Sequence, residues 1–456
     1  MLLDHRSDGI FSGGVIVSPP RFDDAGDMHM TTTPPRAVRA AAPSRLLFRP
    51  LGIVAVIICP ALVVRVLGIH PSPILGLIIF GAAVVAASFL LAWAAEAAQI
   101  DVSGGLAVAV LGVIAVLPEY AVDLYYAYTA GHVPEYTQYA AANMTGSNRL
   151  LMGLGWPVVV LVSVLVARRT TGRKVGELDL DVSNRVEIGF LMFAGVAAFV
   201  VPVTGRIHIA FGVILLGWFG YYLYKLSRGD VEEPELVGTA AALGALPDRT
   251  RRIVVSALFI FAASVIVTCA KPFAEGLIDA GTLLGIDRFL LVQWLAPLSS
   301  EAPEFIIATI FAARGKGAIA IATLISSKVN QWTLLIGSLP VAFILGGGGT
   351  SIQLDGRQIE EMVLTAVQTL MGVAMILGLR FSRRAAWALL GLFIVQFPIT
   401  STEGRVLLSA VYAVVAVVAL VVNRRQLVPT LLAPFAGRAK IHGGHPHQPA
   451  DQVPAA

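Results

Sequence analysis

Two segments of the chain each carry a pair of acidic residues at helical spacing. Glu119 and Asp123 are four residues apart, and Glu301 and Glu304 are three apart. Residues three or four apart lie on the same face of a helix. Carboxylate oxygens at such positions are the ligands that hard cations such as Ca²⁺ prefer. The spacing therefore predicts two carboxylate pairs that bind a cation.

A proline directly precedes Glu119 and Glu304, at positions 118 and 303. Proline has no backbone N–H and clashes with the carbonyl four residues earlier, so it removes a helical hydrogen bond. The freed carbonyl oxygen can then bind a ligand if it faces a cavity. The two Pro-Glu dipeptides predict two helices that are broken beside their carboxylates.

A polar cluster follows each Pro-Glu dipeptide after about 25 residues, TGSN from Thr145 and SSKVNQ from Ser326. The hydroxyl and amide oxygens in and beside these clusters are suited to complete the shell of a hard cation. The candidate ligands are Asn143, Ser147 and Asn148 in the first half, and Ser326, Ser327, Asn330 and Gln331 in the second.

The rest of the chain must hold these groups in lipid. Hydrophobic residues make up 56% of the 456 residues and charged residues only 14%, too apolar a composition for a water-soluble fold. We therefore expect the bilayer and small inorganic cations as partners, no nucleic acid and no bound cofactor besides the transported ion. Composition does not indicate an oligomeric state.

Stretches of about 20 apolar residues predict membrane-spanning helices. Twelve are expected, at residues 47–69, 72–98, 104–128, 136–166, 186–204, 207–225, 253–279, 288–312, 317–345, 360–380, 385–400 and 404–423. The stretch at 385–400 is short. The loops rich in Lys and Arg all fall on one side of the membrane, however, only if this stretch also crosses it. Because basic loops stay in the cytoplasm, both termini are predicted there, with the protein in the plasma (inner) membrane.

These spans predict an all-α protein of two inverted five-helix repeats, with extra transmembrane helices outside this ten-helix core. The predicted organisation is a disordered tail at 1–46, an extra helix at 47–70, a first repeat at 71–227, a cytoplasmic loop at 228–252, a second repeat at 253–424 and a disordered tail at 425–456. The two Pro-Glu helices are five crossings apart, and an odd number inverts their orientation. Inverted repeats predict a transporter whose site lies at the midplane on broken helices.

Together these motifs resemble the two alpha-repeats of the sodium/calcium exchanger superfamily, over residues 72–423. The resemblance implies ten core helices, with a Pro-Glu helix and a Gly-Ser-Asn helix in each half. It also implies antiport by alternating access, with Glu119 and Glu304 as the calcium-binding pair and neighbouring hydroxyls and amides as sodium ligands. The transported cations would be Ca²⁺, Na⁺ or H⁺.

The chain departs from the family pattern at three places. Ile114, Ala115 and Val116 stand where the family has Gly-Thr-Ser, which weakens a sodium-type site. In the second half the matching positions include Ser300 and Glu301, which become further candidate ligands. Where the family has an asparagine after the serine, this chain has Lys328, whose ammonium is a candidate tethered cation. We therefore expect an altered stoichiometry, with protons as the counter-ion.

Three basic residues fall within or beside predicted spans: Arg149, Lys271 and Lys328. A charge in a membrane costs at least ~2.5 kcal/mol, so each is expected to have an acidic partner.

Alternative functions stay open at this point. They are an orthodox calcium exchanger, a sodium/proton antiporter of the same architecture, a channel, and an intramembrane hydrolase that uses paired acids to activate water. No hydrolase motif accompanies the acids, so we expect the protein not to be an enzyme.

Overall fold

The computed structural model describes residues 45–102, 114, 116–228, 236–399 and 401–436, and these residues are mostly helical. All but the end of the predicted N-terminal tail lies outside the described residues. Most of the predicted third span, residues 103–113 and 115, lies outside them too, as does the last part of the predicted C-terminal tail.

Eight helices and two short strands precede the central loop. They are α1 Arg45–Val66, α2 Pro73–Ala98, α3 Leu117–Ala130, α4 Tyr136–Leu150, α5 Trp156–Thr171, β1 Glu177–Asp179, α6 Asn184–Ala197, α7 Val200–Thr204, β2 Arg206–His208 and α8 Ile209–Ser227.

Nine helices and two strands follow. They are α9 Gly238–Gly244, α10 Asp248–Leu284, α11 Arg288–Ala313, α12 Gly317–Asn330, α13 Ile336–Leu345, β3 Ser351–Gln353, α14 Gly356–Ile376, β4 Arg380–Ser382, α15 Arg383–Val395, α16 Thr402–Val422 and α17 Arg424–Leu432.

Nine helical segments in the described part of the chain are long and apolar enough to cross a membrane. The predicted integral membrane protein is therefore confirmed. Helix α11 is not among the nine, although it has 26 residues, and it carries the acidic pair and two prolines. Helix α15 has only 13 residues, fewer than the about 20 that a span needs.

The direction of the neighbouring helices shows that the chain nevertheless turns back at α15. Near the start of α16, Arg405 contacts Glu361 near the start of α14 at 2.5 Å. Just after α16, Asn423 donates to the Ala374 carbonyl near the end of α14. Helices α14 and α16 are therefore parallel, so the chain between them must run the other way.

The two halves repeat each other in their irregular features. A five-residue π-helical turn follows the first polar cluster at Leu151–Gly155, and another follows the second cluster at Gln331–Leu335. Strand β1 pairs with β4, and β2 pairs with β3. Exchange of the two halves turns one strand pair into the other, as an inverted repeat requires. Because π turns are frequent at functional sites, their positions also mark the polar clusters.

The strand pairs lie at opposite ends of the helix bundle. The end with β1 and β4 carries Arg168, Arg169, Arg185, Arg383 and Arg384, and we call it the arginine-rich face. The end with β2 and β3 is called the opposite face.

Two predicted boundaries differ from the structure. The predicted tail from residue 425 is wrong for its first part, because α17 and a 3₁₀ turn at Ala433–Phe435 pack against α6. Their contacts include hydrogen bonds from Arg185 to Gln426 and Thr430. The predicted loop at 228–252 contains α9 and the start of α10, and Arg251 there forms an ion pair with Asp101 at 2.6 Å.

Candidate functional site

The four predicted acidic side chains meet inside the bundle. Helix α3 begins at Leu117, so Pro118 and Glu119 occupy its first turn, where a proline is tolerated and a carboxylate is favoured. The predicted break at Pro303 is wrong, because α11 is continuous through it. Pro303 still cannot donate to the carbonyl of Ser299, so one backbone oxygen is freed in α11 without a gap in the helix.

The acidic side chains of the two halves lie near one another. Asp123 and Glu304 are neighbours of Glu119, and all three are neighbours of Glu301. Glu119, Asp123 and Glu301 are buried, at 5%, 0% and 2% exposure, and Glu304 is partly buried. Carboxylates from inverted halves therefore form one cluster, in which like charges raise the energy unless a cation or proton balances them.

Lys328 on α12 supplies one positive charge beside this cluster. It is fully buried, and its charge acts on both Glu119 and Glu301. Its ammonium donates to the backbone oxygen of Asn148 and to Asn148 Oδ1, the latter at 2.8 Å. The expected acidic partner of Lys328 is not found in direct contact among the described residues, because its hydrogen bonds go to an asparagine of the other half.

Three predicted ligands on and after α12 bind cluster residues directly. Ser327 donates to Glu304 Oε2 at 2.7 Å, and Gln331 Nε2 donates to Glu301 Oε1 at 2.8 Å. Asn330 accepts a hydrogen bond from Tyr120, the neighbour of Glu119, at 2.8 Å. Tyr120 was not predicted, although its position directly after the Pro-Glu dipeptide was a usable signal.

Several buried oxygens in the cluster have no hydrogen-bond partner in the described residues. They are Glu119 Oε1, both carboxylate oxygens of Asp123, Asn143 Oδ1, Glu301 Oε2 and Gln331 Oε1. Ser147 lies beside the Glu119 carboxylate, and Asn143 lies beside Asp123. Buried polar atoms are normally paired, and a set of unpaired oxygens is suited to a hard cation.

Other predicted ligands point elsewhere. Ser300 donates back to the carbonyls of its own helix, and Ser326 hydrogen-bonds with Tyr222. Asn148 uses its oxygens for Lys328 and its amide for the Met144 carbonyl. Among the described residues, no three His, Cys, Asp or Glu side chains are grouped to hold a metal ion. A cation here would therefore need amide, hydroxyl or backbone oxygens besides the carboxylates.

Arg149 has an acidic partner, but not in this cluster. Its guanidinium lies 2.5 Å from Glu361 Oε2 on α14, and Arg405 contacts the other oxygen of the same carboxylate. Gln293 also donates to Glu361. The expected acidic partner of Arg149 is therefore found, although neither Glu361 nor Arg405 was predicted. Lys271, which is exposed, pairs loosely with the half-exposed Glu275 at 3.8 Å.

The sequence and the fold match known proteins. The family model of the sodium/calcium exchanger protein matches residues 72–227 and 254–421. The crystal structure of the H⁺/Ca²⁺ exchanger CAX is 40% identical, covers 85% of this chain and 97% of that chain, and has a TM-score of 0.80. Native YfkE is 15% identical, with a TM-score of 0.57 over 79% of this chain and 99% of that chain.

The sodium-calcium exchanger NCX_Mj is 17% identical, with a TM-score of 0.47 over 71% of this chain and 97% of that chain. A search among curated proteins gave no match. The family model covers both repeats, including both Pro-Glu helices and both polar clusters. The chain therefore belongs to the sodium/calcium exchanger family of membrane proteins.

Proposed function

We propose that this protein is a secondary antiporter that exchanges Ca²⁺ for protons by alternating access, with Glu119 and Glu304 as the central calcium ligands. The observation that carries the proposal is the convergence of carboxylates from two inverted segments in one buried cluster with unpaired oxygens. The 40% identical H⁺/Ca²⁺ exchanger CAX supports calcium as the substrate and the proton as the counter-ion.

The charge of the cluster explains why an exchange is needed. Three buried carboxylates and the partly buried Glu304 carboxylate lie near one another, and the Lys328 side chain lies near Glu119 and Glu301. If Ca²⁺ left without replacement, the remaining carboxylates would be uncompensated in a medium of low dielectric. Protons can take the place of the departing ion on the same oxygens, so binding of one cation excludes the other.

Two features favour protons over sodium as the counter-ion. Ile114 and Val116 stand before the first Pro-Glu dipeptide and offer no side-chain oxygen for a sodium ion. Lys328 lies near Glu119 and Glu301, and its charge, when it is protonated, opposes the binding of several further metal ions. Both features reduce the number of cations the site holds at once.

The proposed site surrounds the ion with Glu304 and with side-chain oxygens from both halves. These further ligands are Glu119, Asp123, Asn143, Ser147, Glu301 and Gln331. Ser327 and Asn330 position the acidic and tyrosine side chains they bind. Asn148 holds the tethered ammonium of Lys328. The protein performs no covalent chemistry in this scheme and is not an enzyme.

The arginine-rich face is proposed to be cytoplasmic, because basic residues near span ends remain on that side. Both termini and the plasma (inner) membrane are proposed on the same ground. Cysteine labelling from outside intact cells, with single cysteines at Arg383 and Arg357 positions, would test this orientation. Labelling at position 357 only is the expected result.

Transport by purified protein in liposomes tests the counter-ion. With Ca²⁺ on one side, an imposed pH gradient at fixed sodium should drive calcium uptake, and an imposed sodium gradient at fixed pH should not. Calcium movement that strictly requires sodium would establish a sodium-coupled exchanger instead. Single-channel conductance would indicate a channel.

A further inference from the structure

A further acidic residue lies between the arginine-rich face and the central cluster. Glu187 is in the first turn of α6, close to that face, and it is partly exposed. Its Oε1 accepts a hydrogen bond from Tyr222 on α8 at 3.0 Å, and its Oε2 accepts one from Asn184 at 3.4 Å. Neither this acid nor Tyr222 belongs to the Pro-Glu helices or the polar clusters.

The hydrogen-bond chain continues towards the site. The Tyr222 hydroxyl is buried at 2% residue exposure and lies 2.7 Å from Ser326 Oγ on α12. The next residue, Ser327, donates to Glu304 Oε2 at 2.7 Å. Ser326 and Ser327 are consecutive residues of α12, and a relay through both requires one water between their hydroxyls. With that water, a path of exchangeable protons leads from the arginine-rich face to Glu304.

Charged groups on the elements around Glu187 are engaged elsewhere. Arg185 binds Gln426 and Thr430, and Lys225 donates to the Ala436 carbonyl. Lys328 binds Asn148, Glu361 binds Arg149 and Arg405, and Arg357 binds Asp287. Arg424 and Arg425 on α17 are exposed. Glu187 is therefore free of an ion pair among the described residues and can exchange a proton.

We propose that Glu187, Tyr222 and Ser326 form a proton relay between the arginine-rich face and Glu304. Glu187 gives its proton to Tyr222 as the tyrosine hydroxyl passes its own proton to Ser326. Ser326 in turn passes a proton through the bridging water to Ser327, and the Ser327 hydroxyl proton moves to the Glu304 carboxylate. Each hydroxyl is restored, Glu304 becomes a carboxylic acid, and Glu187 recovers its proton from water. The same steps in reverse release the proton.

This inference rests on the proposed proton coupling. Two modes of transport distinguish a failure of the relay from a failure of the proton coupling itself. Liposomes containing wild type, Glu187→Gln, Tyr222→Phe or Tyr221→Phe are assayed for calcium uptake driven by a pH gradient and for ⁴⁵Ca²⁺/Ca²⁺ exchange without one. Tyr221 is the matched control. It is the neighbour of Tyr222 on α8, but its hydroxyl donates to the Pro434 carbonyl and not to a residue of the relay.

Proton-driven uptake should fall about tenfold or more in Glu187→Gln and Tyr222→Phe, while ⁴⁵Ca²⁺/Ca²⁺ exchange stays at the wild-type rate. Tyr221→Phe should resemble wild type in both modes. Wild-type uptake in both relay variants would overturn the relay and leave proton/calcium exchange intact. An equal loss in both modes would also overturn it, since it would indicate a structural role. If wild type itself showed no proton-driven uptake, the proposed function would fail instead.

Discussion

Lys328 and Asn148 join the two polar clusters at equivalent places in the inverted halves. The lysine ammonium on α12 donates to both the backbone oxygen and the side-chain oxygen of the asparagine on α4. It also lies 5.6 Å from the ring centroid of Trp332 in the second π-helical turn. The Lys328 side chain is thus fixed between the two halves, next to the carboxylates that are proposed to bind the transported ion.

Removal of this charge should strengthen calcium binding. In Lys328→Met the carboxylates lose their nearby positive charge, so their attraction for Ca²⁺ increases. We expect the Kd for Ca²⁺ to fall about tenfold, which corresponds to about 1.4 kcal/mol, with slower release during transport. Isothermal titration calorimetry would measure the affinity. Lys271→Met, at a side chain 63% exposed, is the control; unchanged or weaker binding by Lys328→Met would contradict the tethered-cation role.

Close approach of α4 and α11 depends on a glycine in the first polar cluster. A Cβ at position 146 would lie 1.8 Å from the Gln293 carbonyl oxygen. Gly146→Ala must therefore push apart two helices that carry site residues, and such overpacking costs about 1–3 kcal/mol. We expect a lower melting temperature in detergent and reduced calcium uptake. Gly217→Ala, where a Cβ meets no atom within 4 Å, should leave both unchanged, and a tolerant Gly146→Ala would show that this helix contact is dispensable.

Asp101 should stabilise the protein at neutral pH through its ion pair with buried Arg251. The adjacent guanidinium lowers the pKa of Asp101 from 3.8 to about 2. Because the folded pKa is the lower one, the stabilisation is complete above about pH 4 and is lost as the pH falls towards 2. Asp101→Asn should lower the unfolding free energy by about 1–3 kcal/mol, equally at pH 6 and pH 8.

Scanning fluorimetry in detergent would measure this difference as a shift in melting temperature. Asp179→Asn, whose side chain is 78% exposed, serves as the control and should have little effect. A loss in Asp101→Asn that appeared only at pH 8 would contradict this account of the ion pair.

The main architecture and the central cluster could be predicted from local patterns. Apolar stretches set the spans, and two Pro-Glu dipeptides an odd number of crossings apart required that their carboxylates approach from opposite directions. Membrane-spanning helices leave few ways to pack two such segments, so Glu119 and Glu304 could be brought together without a structure.

Contacts between distant helices could not be predicted in the same way. Arg149 has Glu361 and Arg405 as partners because α4, α14 and α16 pack together, and no repeat relates those positions. The chain continues as a helix through Pro303, since packing on neighbouring helices overrides the cost of one missing hydrogen bond. Tyr222 and Ser326 meet only because α8 packs near α12 and its π turn.

Calcium binding to wild type, Glu119→Gln and Glu304→Gln, each purified in detergent and titrated at constant pH, tests the central claim most directly. Glutamine keeps the size of the side chain and removes its charge, so each variant should lose at least about tenfold in affinity while it remains folded. Glu275→Gln, at a half-exposed acid outside the cluster, should bind like wild type. Wild-type affinity in both cluster variants would contradict a calcium site shared by the two inverted repeats.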